Sequence, residues 1–254
     1  MPCFHPLQAY VLVGKKSETG RKILLWSEKA VGKRPYLKVP IKCGQCVGCR
    51  VARSQEWALR CVHEASTYDA ENCYITLTYN EATLNGRRTL RRSDFQKFMK
   101  RLRKSHRGTI PLKSESGKWT KPIRYFQCGE YGKVCERCSL SEMYCLSKGC
   151  GKFIPTFGRA HYHACLFNFD FNDKYLWRMH RGNALYRSEM LERLWSHEIQ
   201  QTEADRYEPE TIFKRAGKLY AKNGFCTVGR VSFESAAYIA RYCTKKINGQ
   251  AADD

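Results

Sequence analysis

The chain has 254 residues, 43% of them hydrophobic, enough for one sizeable domain or a core domain with an appendage, and enough to bury a real core. Lysine and arginine number 45 against 24 acidic residues, a net charge of +21 at pH 7, which calls for a polyanionic partner, either nucleic acid or an anionic membrane surface. No apolar run approaches a membrane span, and the opening MPCFHPLQAYVLVGKK lacks the long apolar stretch and small-residue cleavage site of a secretory signal, so nucleic acid, no membrane and a cytoplasmic location are expected.

The 14 cysteines then point to metal, because clustered thiols in a reducing compartment bind ions and do not pair as disulfides. CGQCVGC places Cys43, Cys46 and Cys49 at two-residue intervals, a tight turn that lets thiolates converge on one zinc. Cys3 is the expected fourth ligand, with His5, Cys61 or His63 as substitutes, and the same spacing suits an iron–sulfur cluster. Next, VARSQEWALRCVHEAS has Trp57, Cys61 and Ala65 at helical spacing. NCYITLTYN, rich in β-branched and aromatic residues, predicts a strand. SDFQKFMKRLRKSH predicts a helix capped by Ser93, with Phe95, Phe98, Met99 and Leu102 on one face and a basic face opposite. IRYFQC predicts a strand ending at GEYG, and further on comes a second cysteine group, Cys135, Cys138, Cys145 and Cys150, with the look of a small zinc loop. HYHACLF predicts a third strand, SEMLERLWSHEI a helix, GFCTVGRV a fourth strand, and SFESAAYIARYCTKKI a closing helix capped by Ser232.

From ITLTY to TVGRV this is β-α-β-β-α-β, so the expected fold class is α+β: a ferredoxin- or RRM-like antiparallel sheet, its first and third strands central, followed by a tyrosine-bearing helix. The expected organisation is an N-terminal Cys-rich segment and helix over 1–70, a main domain over 71–248 and a frayed tail over 249–254. Segments 108–122 and 131–160, rich in Gly, Lys and Ser, are read as insertions.

In an extended chain alternate residues share a face, which places His161 and His163 side by side on the third strand. Two imidazoles on a sheet face are often satisfied by hydrogen bonds alone, but with Glu130, in the turn at the end of the neighbouring strand, they make a ligand set for a divalent ion that handles phosphate. The last helix adds weight to that alternative. Tyr238 and Tyr242 are one turn apart on one face, and Lys245 and Lys246 follow a turn later. A phenol of pKa about 10 becomes a nucleophile only toward an electrophile activated by a metal and local positive charge. Arg91, Arg92, Lys100, Arg101, Arg103 and Lys104 are expected to follow a phosphate backbone. No GxxxxGK[ST] stretch is present, so no built-in helicase is expected.

Taken in order, ITLTY, HYHACLF and YIARYCTKK resemble the three motifs of the HUH endonucleases that initiate rolling-circle replication. CGQCVGCR, EWALRCVHEA, NCYITLTYN, IRYFQCGEYG and SFESAAYIARYCTKK extend the resemblance, over about 40–247, to the replication initiation proteins of microviruses of the gokushovirus group. The four-cysteine insertion departs from that group. The resemblance implies Mg²⁺ or Mn²⁺ at His161, His163 and Glu130, attack by Tyr238 or Tyr242 on single-stranded or melted origin DNA, and a 5′-phosphotyrosyl link with a free 3′-OH. Lys245 or Lys246 would neutralise charge. It also implies circular single-stranded phage DNA, a host helicase and a host DNA polymerase as partners, in the cytoplasm of a bacterial host. A non-catalytic, zinc-stabilised single-stranded-DNA binder that packages the genome, or a relaxase or transposase with the same chemistry, are the competing expectations.

Overall fold

The structure, a computed structural model, describes residues 3–68, 71–84, 89–107, 122–140, 142–152, 155–180 and 182–243. In chain order the elements are β1 (Leu7–Lys16), β2 (Lys22–Leu25), α1 (Glu28–Val31), β3 (Tyr36–Ile41), α2 (Val47–Ser66), β4 (Asn72–Thr78), α3 (Glu81–Leu84), α4 (Arg92–Arg107), β5 (Arg124–Cys135), α5 (Glu142–Lys148), β6 (Pro155–Phe167), β7 (Tyr175–His180), β8 (Asn183–Arg187), α6 (Glu189–Leu194), β9 (Ser196–Glu198), β10 (Ile212–Arg215), β11 (Lys218–Lys222), β12 (Cys226–Arg230) and α7 (Phe233–Cys243). Among the described residues no helix is long and apolar enough to cross a membrane.

The central sheet has the order β5-β6-β4-β12-β8-β7 with antiparallel neighbours throughout. The four strands expected from sequence are β4, β5, β6 and β12, and the first and third of them, β4 and β6, do lie inside. The architecture is the expected antiparallel α+β. It differs from a four-stranded ferredoxin-like sheet because the β7–β8 hairpin extends it past β12.

Pattern explains the two faces. In β4 Cys73, Ile75 and Leu77 are buried against one layer while Tyr74 and Thr76 face the other way, the period of two that a strand imposes. The first layer is α4, whose Phe95, Phe98, Met99 and Leu102 all join Ile75, Leu77, Tyr162 and Trp195 in the main core. Each such side chain, fully buried, contributes about 1.5–3 kcal/mol of transfer free energy. On the opposite face α2 and α7 bring Ala58, Cys61, Ala236 and Ile239 onto Cys128, Cys165 and Phe167. β6 is therefore buried on both sides, which is why HYHACLF reads as a nearly continuous apolar run around its histidines.

Several expectations are corrected. The 1–70 segment is more than a Cys-rich loop and helix, since β2-β1-β3 form a separate antiparallel sheet. Most of β1 is exposed, so its sequence carries little of the apolar alternation that marks a half-buried strand. Much of the 131–160 insertion is strand, because β5 and β6 run on past the sheet as a long hairpin, Val134 pairing with Thr156 and Cys135 with Pro155. The helix expected over 188–199 ends at Leu194. Trp195 leaves it at φ −86°, ψ 70° and donates its indole Nε1–H to the Thr78 carbonyl at 2.6 Å, a tertiary bond that helical spacing cannot register. β9 then joins β10 and β11 in a third small sheet. α4 starts at Arg92, which leaves Ser93 in its first turn and not at its cap. Ser232, by contrast, accepts from the Ser235 N–H at 3.2 Å ahead of α7, as a cap should. Segment 108–121 and the tail from 244 onward, with Lys245 and Lys246, lie outside the described residues.

Candidate metal and nucleophile site

Strand register assembles the site. Glu130 in β5 is directly opposite His161 in β6, which is opposite Thr78 in β4, and His163 is opposite Thr76. Directly opposed residues of antiparallel strands project from the same face, so the carboxylate and both imidazoles converge. A bulge between Tyr131 and Lys133 follows at once, a device that commonly re-aims side chains beside functional sites.

The geometry is compact. Glu130 Oε1 lies 2.6 Å from His161 Nε2 and 3.1 Å from His163 Nε2. Its other oxygen, Oε2, is buried without a hydrogen-bond partner. His161 Nδ1 sits 2.8 Å from the Arg159 carbonyl, which can only accept, so Nδ1 carries the proton and Nε2 is aimed at the carboxylate. A contact of 2.6 Å between Nε2 and a carboxylate oxygen is then a charge-assisted hydrogen bond with a proton shared between the two atoms, the place a cation would take over by displacing that proton. His163 Nδ1 is held by Tyr74 Oη at 2.7 Å and Thr76 Oγ1 at 3.0 Å. Two imidazole nitrogens with fixed orientation, a carboxylate and one orphaned carboxylate oxygen fit a divalent ion.

Electrostatics agree with the geometry. Burial alone would raise the Glu130 carboxyl, but bonds and charge from His161 and His163 outweigh it and hold the group at about 2. Burial works against His161 charging, yet Glu130 and the Arg159 carbonyl carry it above the ordinary histidine value. Burial, with the neighbouring His161, wins at His163 and lowers it. The site therefore contains one committed anion in a mostly dry setting.

α7 delivers the phenols. Tyr238 Oη donates to Glu130 Oε1 at 3.2 Å, and Tyr242 Oη donates to Tyr238 Oη at 3.1 Å. Burial raises both phenols above their usual value, Tyr238 the more strongly. α7 is fixed against α2 in part by Ser54 Oγ, which donates to the Ala237 carbonyl at 3.0 Å.

Two further clusters sit apart from this centre. The sulfurs of Cys3, Cys43, Cys46 and Cys49 gather as expected with Cys3 as fourth member, at 3.6 Å for Cys3–Cys43, 3.9 Å for Cys3–Cys46 and 4.0 Å for Cys43–Cys49. Four thiolates at about 2.3 Å from one zinc are ~3.8 Å apart, so this spacing suits a tetrahedral ion. Backbone N–H groups of Cys49 and Phe4 lower the Cys46 thiol to about 6, readying it as a thiolate. His5 and His63 stay outside the cluster, and Cys61 is buried in the core beneath α2. At the tip of the β5–β6 hairpin Cys135, Cys138, Cys145 and Cys150 gather likewise, with Cys135–Cys150 at 3.6 Å and Cys145–Cys150 at 3.5 Å. Gly149 makes this turn possible, since a Cβ there would fall 2.7 Å from the Cys145 Cα.

The expected DNA-tracking residues are placed differently. All six lie on α4 or just before it, on the face of the sheet opposite to Glu130, and Arg91, Arg92, Lys100 and Lys104 are exposed. Arg101 is tied inward to the Leu194 and Ser196 carbonyls at 2.9 and 2.8 Å, and desolvation lowers it to about 10. Arg103 donates to the Ile123 carbonyl at 3.1 Å and lies over the Tyr125 ring. Sequence inspection missed Tyr74 and Thr76, although their alternation with Ile75 already placed them on the histidine side.

Comparison with known proteins gives a matching picture. The family model for replication-associated protein ORF2/G2P matches residues 72–138, which hold β4, α4 and Glu130 but neither histidine nor tyrosine of the site. Replication-associated protein VP4 of Bdellovibrio phage phiMH2K is 28% identical over 249 residues, covering 97% of this chain and 59% of that protein. Replication-associated protein ORF2 of Spiroplasma virus 4 is 26% identical over 259 residues, covering 97% and 62%. The chain thus spans about three fifths of the length of these relatives. No solved structure matches it. Along nearly its whole length the chain is similar to replication-associated proteins of phages, in agreement with the resemblance its motifs carry.

Proposed function

We propose that the chain initiates rolling-circle replication of a circular single-stranded phage genome by nicking its origin through a tyrosine. What supports this is the convergence of Glu130, His161, His163 and Tyr238 on one carboxylate oxygen. Packing alone does not call for a nucleophile of that type against a ligand set of that type.

Glu130, His161 and His163 would hold Mg²⁺ or Mn²⁺, which would polarise the scissile phosphate and stabilise the charge that develops on it. Nitrogen donors favour Mn²⁺ of the two. α7 presents Tyr238 Oη to the phosphorus. The Oη–P bond forms as the P–O3′ bond breaks, the phenol proton leaves Oη, and the departing 3′ oxygen takes up a proton. The products are a 5′-phosphotyrosyl link and a free 3′-OH that a host polymerase extends after a host helicase opens the duplex. Because burial makes the Tyr238 proton harder to lose, an acceptor at Oη is needed, and Glu130 Oε1, which accepts from Tyr238 Oη, is the group in place. Tyr242, one turn on, serves the second cleavage that rejoins the displaced strand. Lys245 and Lys246 are assigned charge neutralisation at the phosphate. The two cysteine clusters are assigned structural zinc, and the setting is the host cytoplasm.

The test is incubation with an origin-containing single-stranded oligonucleotide and Mn²⁺, followed by a denaturing gel. A covalent protein–DNA band that disappears in the Tyr238→Phe, Tyr242→Phe double variant is expected. Tight binding with no adduct across several candidate origins would favour a non-catalytic packaging protein, and an adduct in the double variant would refute the tyrosine assignment.

A further inference from the structure

The basic row on α4 lies on the far face of the sheet, so something else must meet DNA beside Glu130, His161 and His163. Register identifies it. Cys226 pairs with Leu77, so Phe225 falls beside Thr78, whose N–H and Oγ1 both donate to the Phe225 carbonyl at 3.1 and 2.7 Å. Thr78 is opposite His161, and His161 opposite Glu130. Alternation puts Phe225 on the face of Thr227, which pairs with Thr76 in the histidine row. At ~4.8 Å per strand, Phe225 is two strands, about 10 Å, from His161.

Phe225 is 38% exposed, and so is Trp177, whose ring packs on it at a centroid distance of 4.7 Å. Trp177 reaches that position through a bulge: Leu176 and Arg178 pair with the consecutive β8 residues Tyr186 and Leu185, which leaves Trp177 as the extra residue. The Arg178 guanidinium covers Trp177 at 4.1 Å and that of Arg187 covers Phe225 at 5.0 Å. Arg187 is ion-paired with Glu192, whereas Arg178 forms no ion pair among the described residues. Gly224 locks the base of the patch, for a Cβ there would lie 2.7 Å from the Thr78 carbonyl oxygen and the Asn80 nitrogen.

Two exposed aromatic rings edged by arginine, level with a phosphate-handling centre in a chain of net charge +21, have the composition of a base-stacking platform, which takes any base because every base has a π face. We propose that Phe225 and Trp177, with Arg178, bind the bases and backbone of single-stranded DNA next to the phosphate held at Glu130, His161 and His163. This rests on the nicking reading for the orientation of the strand, but not for the binding itself.

The test uses the full chain and a fluorescent dT12 oligonucleotide with no added Mg²⁺ or Mn²⁺, so that affinity is read apart from cleavage. The Phe225→Leu, Trp177→Leu double variant is expected to bind about tenfold or more weakly, the loss of a stacked base. Phe225→Tyr retains a ring and is expected to bind as the unaltered chain does. Arg178→Ala is expected to lower the salt slope by about one phosphate contact. Ultraviolet crosslinking of the unaltered chain to an iodouracil-substituted strand needs no variant, and its crosslinked peptides are expected to contain Trp177 or Phe225. A folded double variant that binds dT12 normally, or crosslinks confined to α4, would overturn the platform. An unaltered chain that crosslinks through Trp177 but forms no adduct with Mn²⁺ would overturn nicking and leave the platform standing.

Discussion

Tyr238 Oη and Glu130 Oε1 are 3.2 Å apart, and that same oxygen is the one both histidines face. Tyr242 Oη donates to Tyr238 Oη at 3.1 Å, and its phenol, though it too feels Glu130, is raised less strongly than that of Tyr238. The two phenols are therefore inequivalent. Tyr238→Phe is expected to reduce the first cleavage by at least about 10³-fold, the scale on which removing a nucleophile acts. Tyr242→Phe is expected to leave that cleavage nearly intact and to block strand rejoining. A gel that follows adduct and rejoined circle separately checks both, and equal loss of the first cleavage in both variants would show that the order of the phenols is wrong.

Glu130→Gln keeps the size of the side chain but removes its charge. Affinity for Mn²⁺ at this site is expected to drop by more than about 100-fold, beyond what loss of an outer-shell partner costs. Thr76→Val, which removes one of the two hydroxyls at His163 Nδ1, is expected to cost about tenfold or less. Titration of Mn²⁺ by paramagnetic resonance separates the two.

The cysteine clusters are independent, one at the N-terminus and one at the tip of the β5–β6 hairpin. Protein purified without chelator is expected to hold two zinc ions per chain. Cys46→Ser and Cys150→Ser are each expected to lose one, which elemental analysis reads directly. Retention of both ions in either variant would show that the sulfur spacing does not mark a binding site.

Arg101 and Lys104 read alike in the sequence but differ in place. Arg101→Ala removes both donors to the Leu194 and Ser196 carbonyls and is expected to cost about 1–3 kcal/mol of unfolding free energy. Lys104→Ala, at an exposed position, is expected to change stability by less than about 0.5 kcal/mol. Urea unfolding distinguishes them.

Gly224→Ala tests the junction between β11 and β12. The added Cβ would press on the backbone of Thr78, Tyr79 and Asn80 at 2.7 Å, where no flexible side chain can yield. A cost of about 1–3 kcal/mol is expected, as for other overpacked positions. A melting temperature unchanged from the parent chain would contradict the close approach.

What the sequence determined by itself was whatever depends on short spacing. Runs of β-branched, aromatic and apolar residues marked β4 and β6, period 3.6 marked α4 and α7, and His-x-His, Tyr-x-x-x-Tyr and the cysteine intervals put chemically matched groups on shared faces before any strand was paired. It did not mark β1 to β3 or β7, because strands so exposed have no apolar alternation to show. Nor did it find the early end of α6, which a bond from Trp195 to a carbonyl 117 residues away imposes. Only the tertiary structure could decide which groups meet across strands. Glu130 reaches His161 through register, Tyr238 meets Glu130 through the docking of α7, and the basic row of α4 faces away from the site because the sheet stands between them. Each of these depends on contacts distant in sequence, where local periodicity carries no information.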